Sequence, residues 1–308
     1  MSKQVLIIDE IHESMIIGLE NQGFRAIYLP QIEKEQIATH LSEISGLVVR
    51  SKIFIDEDFL EKAPHLEFIA RAGAGLDLIN LEATKKRNIQ VFAANEGNKD
   101  AVAEHVIGQL LSLAHRLHIA DIEVKNRIWD REGNRGWEIH GKTIGIIGFG
   151  NMGQALAEKI QGFGVSILAY DKYHPAKKFA ASLEDLFEQA DIVSLHVPLT
   201  EETKGMISKE FLMRFKKNIV LINSSRGQIG TMEAYLWGLE TKKIKALALD
   251  VLPNEKLKSW SESEINMFNS ISKFPNTIFS PHVAGWTNES YWKINEVLLE
   301  KIKSYYHS

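Results

Sequence analysis

The chain has no cysteine. That excludes disulfides, thiolate metal ligands and cysteine nucleophiles, and it fits a reducing compartment. It also lacks any apolar run of about 18 residues, the length a membrane-spanning helix needs. The opening "MSKQVLIIDE" holds an apolar stretch too short for a secretion signal, with acids where such a signal is small and neutral. A cytoplasmic protein is expected, in which the sequons at Asn223 and Asn288 carry no meaning. A charge bias is missing too. Lys and Arg number 36 against 40 Asp and Glu, a net charge of -4, so neither nucleic acid nor a membrane surface is an expected partner and any anion site must be local. The histidines lack the spacing of metal ligands, and no metal is expected.

What is present is 308 residues, 44% of them hydrophobic, enough for two domains. Short apolar runs alternate with charged, helix-like segments. In the first part these are "QVLIID", "FRAIYL", "GLVVR", "LEFIARAG" and "IQVFAA"; after Gly141 come "TIGIIGFG", "SILAYD", "DIVSLHV", "NIVLINSS", "KALALDV" and "TIFSPH". Continuous apolar strands separated by helices imply parallel sheets covered on both faces. Between the two sets, Val102, Val106, Leu110, Leu113, Ala114 and Leu117 recur at helical spacing, and a second periodic helix carries Trp292, Val297, Leu298 and Ile302. With no Pro/Gly-rich linker to mark a boundary, these two helices are the natural crossovers, and the last can return to the first domain.

Two glycine motifs compete. "GWEIHGKT", Gly136 to Thr143, has the letters of a phosphate-binding P-loop, but a strand follows its lysine where that loop needs a helix. "GFGNMG", with Gly148, Gly150 and Gly153, has the right surroundings: strand "TIGIIG" before it, and a helix after it with Met152, Leu156, Ile160 and Phe163 on one face. The glycines permit a tight turn, approach of the backbone to a pyrophosphate, and close packing of helix on strand. Asp171 ends the next strand, 18 residues beyond Gly153, where a carboxylate accepts from ribose hydroxyls and repels a 2′-phosphate. NAD is the expected cofactor, with the adjacent Lys172 a weaker argument for NADP.

In open parallel sheets ligands lie beyond the carboxyl ends of the strands. Arg226, His196, Asp250 and His282 all follow strands at such ends. A guanidinium there suits a small anionic substrate, because it presents a fixed fork of donors.

"LINSSRGQI", "ALDVLPNE" and "SPHVAG", in that order after "GFGNMG", resemble the signatures of the NAD-dependent D-2-hydroxyacid dehydrogenases. "VVRSK", "RAGAGLDLINLEAT" and "VAEH" extend the resemblance over nearly the whole chain. It implies an α/β fold of two Rossmann-like, doubly wound parallel-sheet domains with the active site in the cleft between them, in an enzyme that is usually a dimer. The substrate domain would be discontinuous, residues 1–97 plus 285–308, and the NAD-binding domain would span 98–284. Carried over by motif, Arg226 binds the substrate carboxylate and carbonyl, His282 is the acid/base, and Glu255 is its carboxylate partner. Gly148, Gly150, Asn151, Met152, Gly153 and Asp171 would hold the cofactor's pyrophosphate and ribose; Val197, Pro198, Ser224, Ser225, Asp250 and Gly285 would line the rest. His196, in an "H-x-P-L-T" turn, belongs with the cofactor lining and not with catalysis.

Hydride exchange at C2 of a hydroxy acid leaves a proton to be exchanged at the C2 oxygen, which an imidazole oriented by a carboxylate can handle. In the first domain, Arg50 and Ser51 follow one strand. Arg71 follows another and precedes the amides of Gly73, Ala74 and Gly75, a turn able to hold an anion. Arg50, Ser51, Arg71, Ala74 and Gly75 are therefore the expected substrate ligands, and two extra arginines make the chain most similar to the D-3-phosphoglycerate dehydrogenases. Glyoxylate/hydroxypyruvate reductase and 4-phosphoerythronate dehydrogenase are the alternatives, and an NAD(H)-sensing binding module like the corepressors that resemble this family is the alternative of another class. Three departures stand out. Lys256 replaces the usual proline after Glu255, which predicts a less rigid loop. Trp286 stands where phosphoglycerate dehydrogenases carry a small residue. The sequence stops at Ser308, so a C-terminal regulatory domain and serine feedback are not expected.

Overall fold

Five of the apolar runs form one parallel sheet: β1 (Gln4–Ile7), β2 (Arg25–Tyr28), β3 (Ile44–Val49), β4 (Phe68–Arg71) and β5 (Gln90–Ala93), ordered β2-β1-β3-β4-β5. The computed structural model describes residues 2–174 and 178–307, and the chain divides into unit 1, Met1–Lys99 with Trp286–Ser308, and unit 2, Asp100–Gly285. Successive side chains of a strand point to opposite faces, and in unit 1 both faces are covered. Val5, Ile7, Val48, Phe68 and Ala70 enter one apolar cluster, while Leu6, Ile8, Leu47, Val49 and Ile69 enter another. The helix Asn288–His307 closes the first cluster with Ile294, Leu298, Leu299 and Ile302. Trp292, expected on that buried stripe, is instead 45% exposed; the stripe runs through Ser290, Ile294 and Leu298, a four-residue step that leaves position 292 on the far side. Gly97 permits the helix's close seat, since a Cβ there would lie 2.7 Å from the backbone of Ile294.

The other six runs form the sheet of unit 2: β6 (Thr143–Ile147), β7 (Ser166–Tyr170), β8 (Ile192–Leu195), β9 (Ile219–Asn223), β10 (Ile244–Leu249) and β11 (Thr277–Phe279). All pairings are parallel and the order is β11-β10-β9-β8-β6-β7. Outside β7, Ala180 makes a parallel bridge to Ala169. With that bridge as a vestigial third strand, the order becomes the doubly wound one of dinucleotide-binding sheets, reversing between β6 and β8. Here too the strands are buried on both sides, Ile144 and Ile146 facing one cluster and Ile147, Val193 and Leu195 the other.

The crossover helix Lys99–Ala114 buries Val102, Val106, Leu110 and Leu113. It stops short of the expected Leu117, because Arg116 adopts a left-handed conformation (φ 55°) and a new helix, Leu117–Lys125, leaves Leu117 55% exposed. The carbonyl of Ala114 is capped instead by the amide of Trp137, 2.9 Å away. Gly136 to Thr143 leads into β6 with no helix after Lys142, so it is a turn and not a phosphate loop. Among the described residues no helix is long and apolar enough to cross a membrane, and no cluster of potential metal ligands occurs.

Candidate active site

At the carboxyl end of β6, Gly148 turns the chain at φ +93°, a region that favours glycine, and a Cβ there would meet the carbonyl oxygen of His196 at 2.5 Å. The loops after β6 and β8 therefore touch at the point where the strand order reverses. Gly150 is the N-cap of the helix Asn151–Ile160 and supplies no side-chain cap, and among the described residues nothing lies within 4 Å of where its Cβ would be. The first-turn amides, at Asn151, Met152 and Gly153, are thus left for a ligand. Gly153 serves the packing instead. A Cβ there would lie 2.2 Å from the oxygen of Gly148, so its absence lets helix and strand close up. Leu156 and Ile160 of the expected face are buried and Met152 packs on the same cluster, while Phe163, beyond the helix end, is 38% exposed.

Asp171 ties this loop to the end of β7. Its carboxylate accepts from the backbone amides of Phe149 (2.7 Å), His174 (2.8 Å) and Tyr173 (3.0 Å). Burial acts to raise its pKa, but those donors outweigh burial and hold it below the usual carboxylate value. Lys172 points to Glu202, 2.6 Å away, and the Tyr173 hydroxyl donates to the same carboxylate at 3.1 Å. The one cation next to Asp171 in sequence is therefore neutralised by an acid from the loop after β8, the loop that also carries Val197 and Pro198.

Beyond β9, Asn223 is fully buried. Its amide donates to the carbonyl of Arg226 (3.0 Å), and its oxygen accepts from the amide and hydroxyl of Ser225 (3.0 and 2.9 Å). The sequon asparagine is the internal brace of the "NSSR" turn. Ser224 Oγ is buried and has no hydrogen-bond partner among the described residues. Gly227 allows the turn to pass close to the next loop, since a Cβ there would lie 2.0 Å from the backbone of Leu252.

His282 adopts a left-handed conformation (φ 55°), and its amide donates to the carbonyl of Asp250 at 2.7 Å. Its Nδ1 lies 2.9–3.0 Å from both oxygens of Glu255. A carboxylate in that place favours the tautomer with the proton on Nδ1, which makes Nε2 the acceptor nitrogen of the ring. The loop bearing Glu255 is pinned without the missing proline: Asn254 Oδ1 accepts from the amide of Lys256 (3.0 Å), and the Trp260 indole donates to the carbonyl of Asn254 (2.8 Å). The expected looseness at Lys256 is thus offset by a side-chain turn and an indole.

The Asp250 side chain is fully buried and turned into this loop. It accepts from the amides of Val283 and Ala284, both at 2.9 Å, and from the Ser280 hydroxyl. Ser280 in turn faces His105 and Gln109 of the crossover helix. This network was not among the expectations from sequence. Its signal was a polar pair four residues apart, His105 and Gln109, on the face of a helix otherwise occupied by Val102, Val106, Leu110 and Leu113.

In unit 1, Val49 and Arg71 are paired across β3 and β4, so Arg50 and Arg71 sit at adjacent strand ends. The Arg71 guanidinium folds over Gly73, whose missing Cβ makes the room for it. Gly73 was expected to offer its amide to an anion, but that amide donates to the carbonyl of Arg71 at 2.8 Å. Ala74 and Gly75 donate to no other group among the described residues, so two of the three amides expected to face an anion are undonated. Ser51, which follows Arg50, is exposed. Arg50 has its amide bonded to Asp9 Oδ2 at 2.7 Å and its guanidinium 3.5 Å above the Trp286 ring. Burial lowers its pKa, with Tyr291, Asp9 and Glu10 acting in the opposite sense.

Residues 107–284 match the family described as D-isomer specific 2-hydroxyacid dehydrogenase, NAD binding domain. The chain belongs to that family. The dinucleotide that the glycine loop fits is therefore NAD. The chain is 33% identical over 302 residues to hydroxypyruvate reductase of Thermotoga maritima, with 97% of each chain covered. It is 33% identical to D-3-phosphoglycerate dehydrogenase of Methanocaldococcus jannaschii, where 97% of this chain spans only 57% of the relative. Among solved structures, NAD⁺-bound 3-phosphoglycerate dehydrogenase of Entamoeba histolytica superposes with a TM-score of 0.80 at 26% identity, covering 100% of this chain and 96% of that one.

Proposed function

We propose that the protein is an NAD-dependent dehydrogenase of D-2-hydroxy acids, acting on D-3-phosphoglycerate and its oxidised partner 3-phosphohydroxypyruvate. The observation that carries the substrate is the pair of guanidiniums, Arg50 and Arg71, at the carboxyl ends of adjacent strands, next to the undonated amides of Ala74 and Gly75. A carboxylate needs one fork and a turn; a further guanidinium calls for a second anion.

In this reading Arg226 binds the carboxylate and the C2 oxygen. Glu255 holds the His282 ring by Nδ1, and Nε2 takes the C2 hydroxyl proton on oxidation and returns it on reduction. NAD, when bound, accepts the hydride that leaves C2 or donates it in reverse. The amides of Gly150 to Gly153 hold the pyrophosphate and Asp171 the ribose. Val197, Pro198, Ser224, Ser225 and Gly285 line the remaining length, and Asp250 holds the loop that carries His282. Ser51 joins the substrate ligands. The assembly that goes with this reading is a homodimer, consistent with Ile122, Val124, Ile128 and Trp129 being exposed in one stretch of unit 2; analytical ultracentrifugation tests it.

A second reading, reduction of unphosphorylated hydroxypyruvate, is favoured by the full-length match to the Thermotoga enzyme. A panel of 2-oxo acids followed by NADH absorbance decides between them. Higher kcat/KM for 3-phosphohydroxypyruvate supports the first; higher kcat/KM for hydroxypyruvate or glyoxylate overturns it.

A further inference from the structure

Arg50 is held in an unusual way for a partly buried arginine. Its guanidinium lies 3.5 Å over the Trp286 indole, and among the described residues no carboxylate or carbonyl accepts from its N–H groups. Ordinarily such a group is fixed by an acid, whose oxygens take the same N–H edge that an incoming anion would need. An indole works differently: it binds the flat face of the guanidinium through its π-system and leaves the edge donors unspent. The plate is itself supported. Tyr291 packs on Trp286 with ring centroids 5.5 Å apart, and His12 meets Tyr291 edge-on at 6.1 Å. Immediately after the tryptophan, Thr287 and Ser290 exchange hydrogen bonds between amide and hydroxyl (2.9 and 3.0 Å), which fixes the start of the final helix.

We propose that Trp286 is a positioning and specificity-determining residue: it orients Arg50 by its face so that the N–H edge is open to the phosphate ester of the substrate. This rests on the phosphorylated-substrate reading above. An unstacked arginine must lose its side-chain freedom each time it binds, whereas a stacked one has already lost it. The tryptophan that departs from the small residue of phosphoglycerate dehydrogenases is in this view a gain in affinity for the far anion.

The test is a double-mutant cycle in the full chain. kcat and KM are measured for 3-phosphohydroxypyruvate and hydroxypyruvate in the unaltered enzyme, Trp286→Ala, Trp286→Phe, Arg50→Ala and the Trp286→Ala/Arg50→Ala pair. Trp286→Ala should lower the preference for the phosphorylated substrate by about 2- to 30-fold, the range of a cation–π contact, through KM and not kcat. Trp286→Phe should restore most of it, and the pair should be no worse than Arg50→Ala alone. Equal losses for both substrates, losses that multiply in the pair, or a preference that rises in Trp286→Ala would overturn the role of the tryptophan. If Arg50→Ala itself leaves the preference unchanged, the phosphate reading fails, and that outcome is separate from the others. Thermal unfolding of each variant, and NADH affinity by fluorescence, identify a protein that has merely lost its fold.

Discussion

Ser280 donates its hydroxyl proton to Asp250 across 2.5 Å. With that proton spent, the two contacts remaining to its oxygen, His105 Nε2 at 2.9 Å and the Gln109 amide at 3.0 Å, must both be donors. A serine is thereby fully satisfied, and a buried carboxylate that holds the two amides after His282 is anchored to the crossover helix. Replacing Ser280 by alanine should cost about 1–3 kcal/mol of stability, because a buried carboxylate oxygen, the buried Gln109 amide and the half-buried His105 ring lose a partner. It should also lower kcat more than it weakens NADH binding. Urea unfolding and stopped-flow turnover measure the two; a variant as stable and as active as the parent would show that the loop does not depend on this serine.

For the proton, His282→Ala should lower turnover by roughly 10²–10⁴ while NADH binding, followed by fluorescence, stays close to that of the parent. Glu255→Gln should lower kcat by less, since an amide can still lie against Nδ1 but no longer demands its proton. Retention of most turnover without the imidazole would assign the proton transfer to another group.

The cofactor preference follows from Asp171, Lys172 and Glu202. NADH should bind more tightly than NADPH. Asp171→Ala should weaken NADH by roughly 10-fold or more, the scale of a hydrogen bond to a charged group, and should weaken NADPH less. Adding Glu202→Gln releases Lys172 from its 2.6 Å ion pair and should narrow the gap further. Equal affinities for the two dinucleotides in the unaltered protein would contradict this account.

His196 makes a prediction about acid. Its Nε2 bonds to Ser194 Oγ at 2.9 Å. The residue keeps some surface, yet withdrawal of the ring from water pushes its pKa down from 6.5 to about 4. The unfolded chain therefore binds more protons between those values, and stability is lost as pH falls from 6.5 toward 4. The linked free energy is on the order of 3 kcal/mol. His196→Gln, which can still bond to Ser194, should show a shallower loss in urea unfolding over that window. Parallel curves for parent and variant would remove His196 from the acid response.

Gly227→Ala should be among the more damaging single-methyl changes, at about 1–3 kcal/mol for overpacking, because the added carbon meets the rigid backbone of Leu252 at 2.0 Å and not a side-chain tip. Differential scanning calorimetry gives the cost; a melting temperature unchanged from the parent would mean the two loops can part.

The strands of both sheets were visible in the sequence as short apolar runs, continuous where a central strand is buried on both faces and flanked by the exposed Arg25 and Tyr28 in the edge strand β2. The glycine loop and Asp171 were visible because their spacing is local, and the contact between Glu255 and His282 because both lie in fixed motifs; Arg226 was named by its motif alone. Contacts that join distant positions were not. Nothing near Arg50 announces Trp286, and nothing near Asp250 announces His105. The break at Arg116 was hidden as well, since no glycine marks it and the apolar spacing runs straight through to Leu117. Likewise Gly73 looks like an anion donor until its amide is seen bonded to Arg71.

The close seat of Ile294 against Gly97 bears on how the chain acquires its structure as it leaves the ribosome. Unit 2 is one uninterrupted segment, whereas the core of unit 1 needs Val5, Phe68 and Phe92 together with Ile294, Leu298 and Ile302. All of unit 2 is synthesised before that last helix emerges. The sheet that is made first must therefore wait, with one face open, until the chain has built the other, and contacts of such long sequence separation form slowly. Refolding from denaturant should accordingly be biphasic, with the Trp137 side of unit 2 recovering before the aromatic cluster of Phe24, Phe68 and Tyr306.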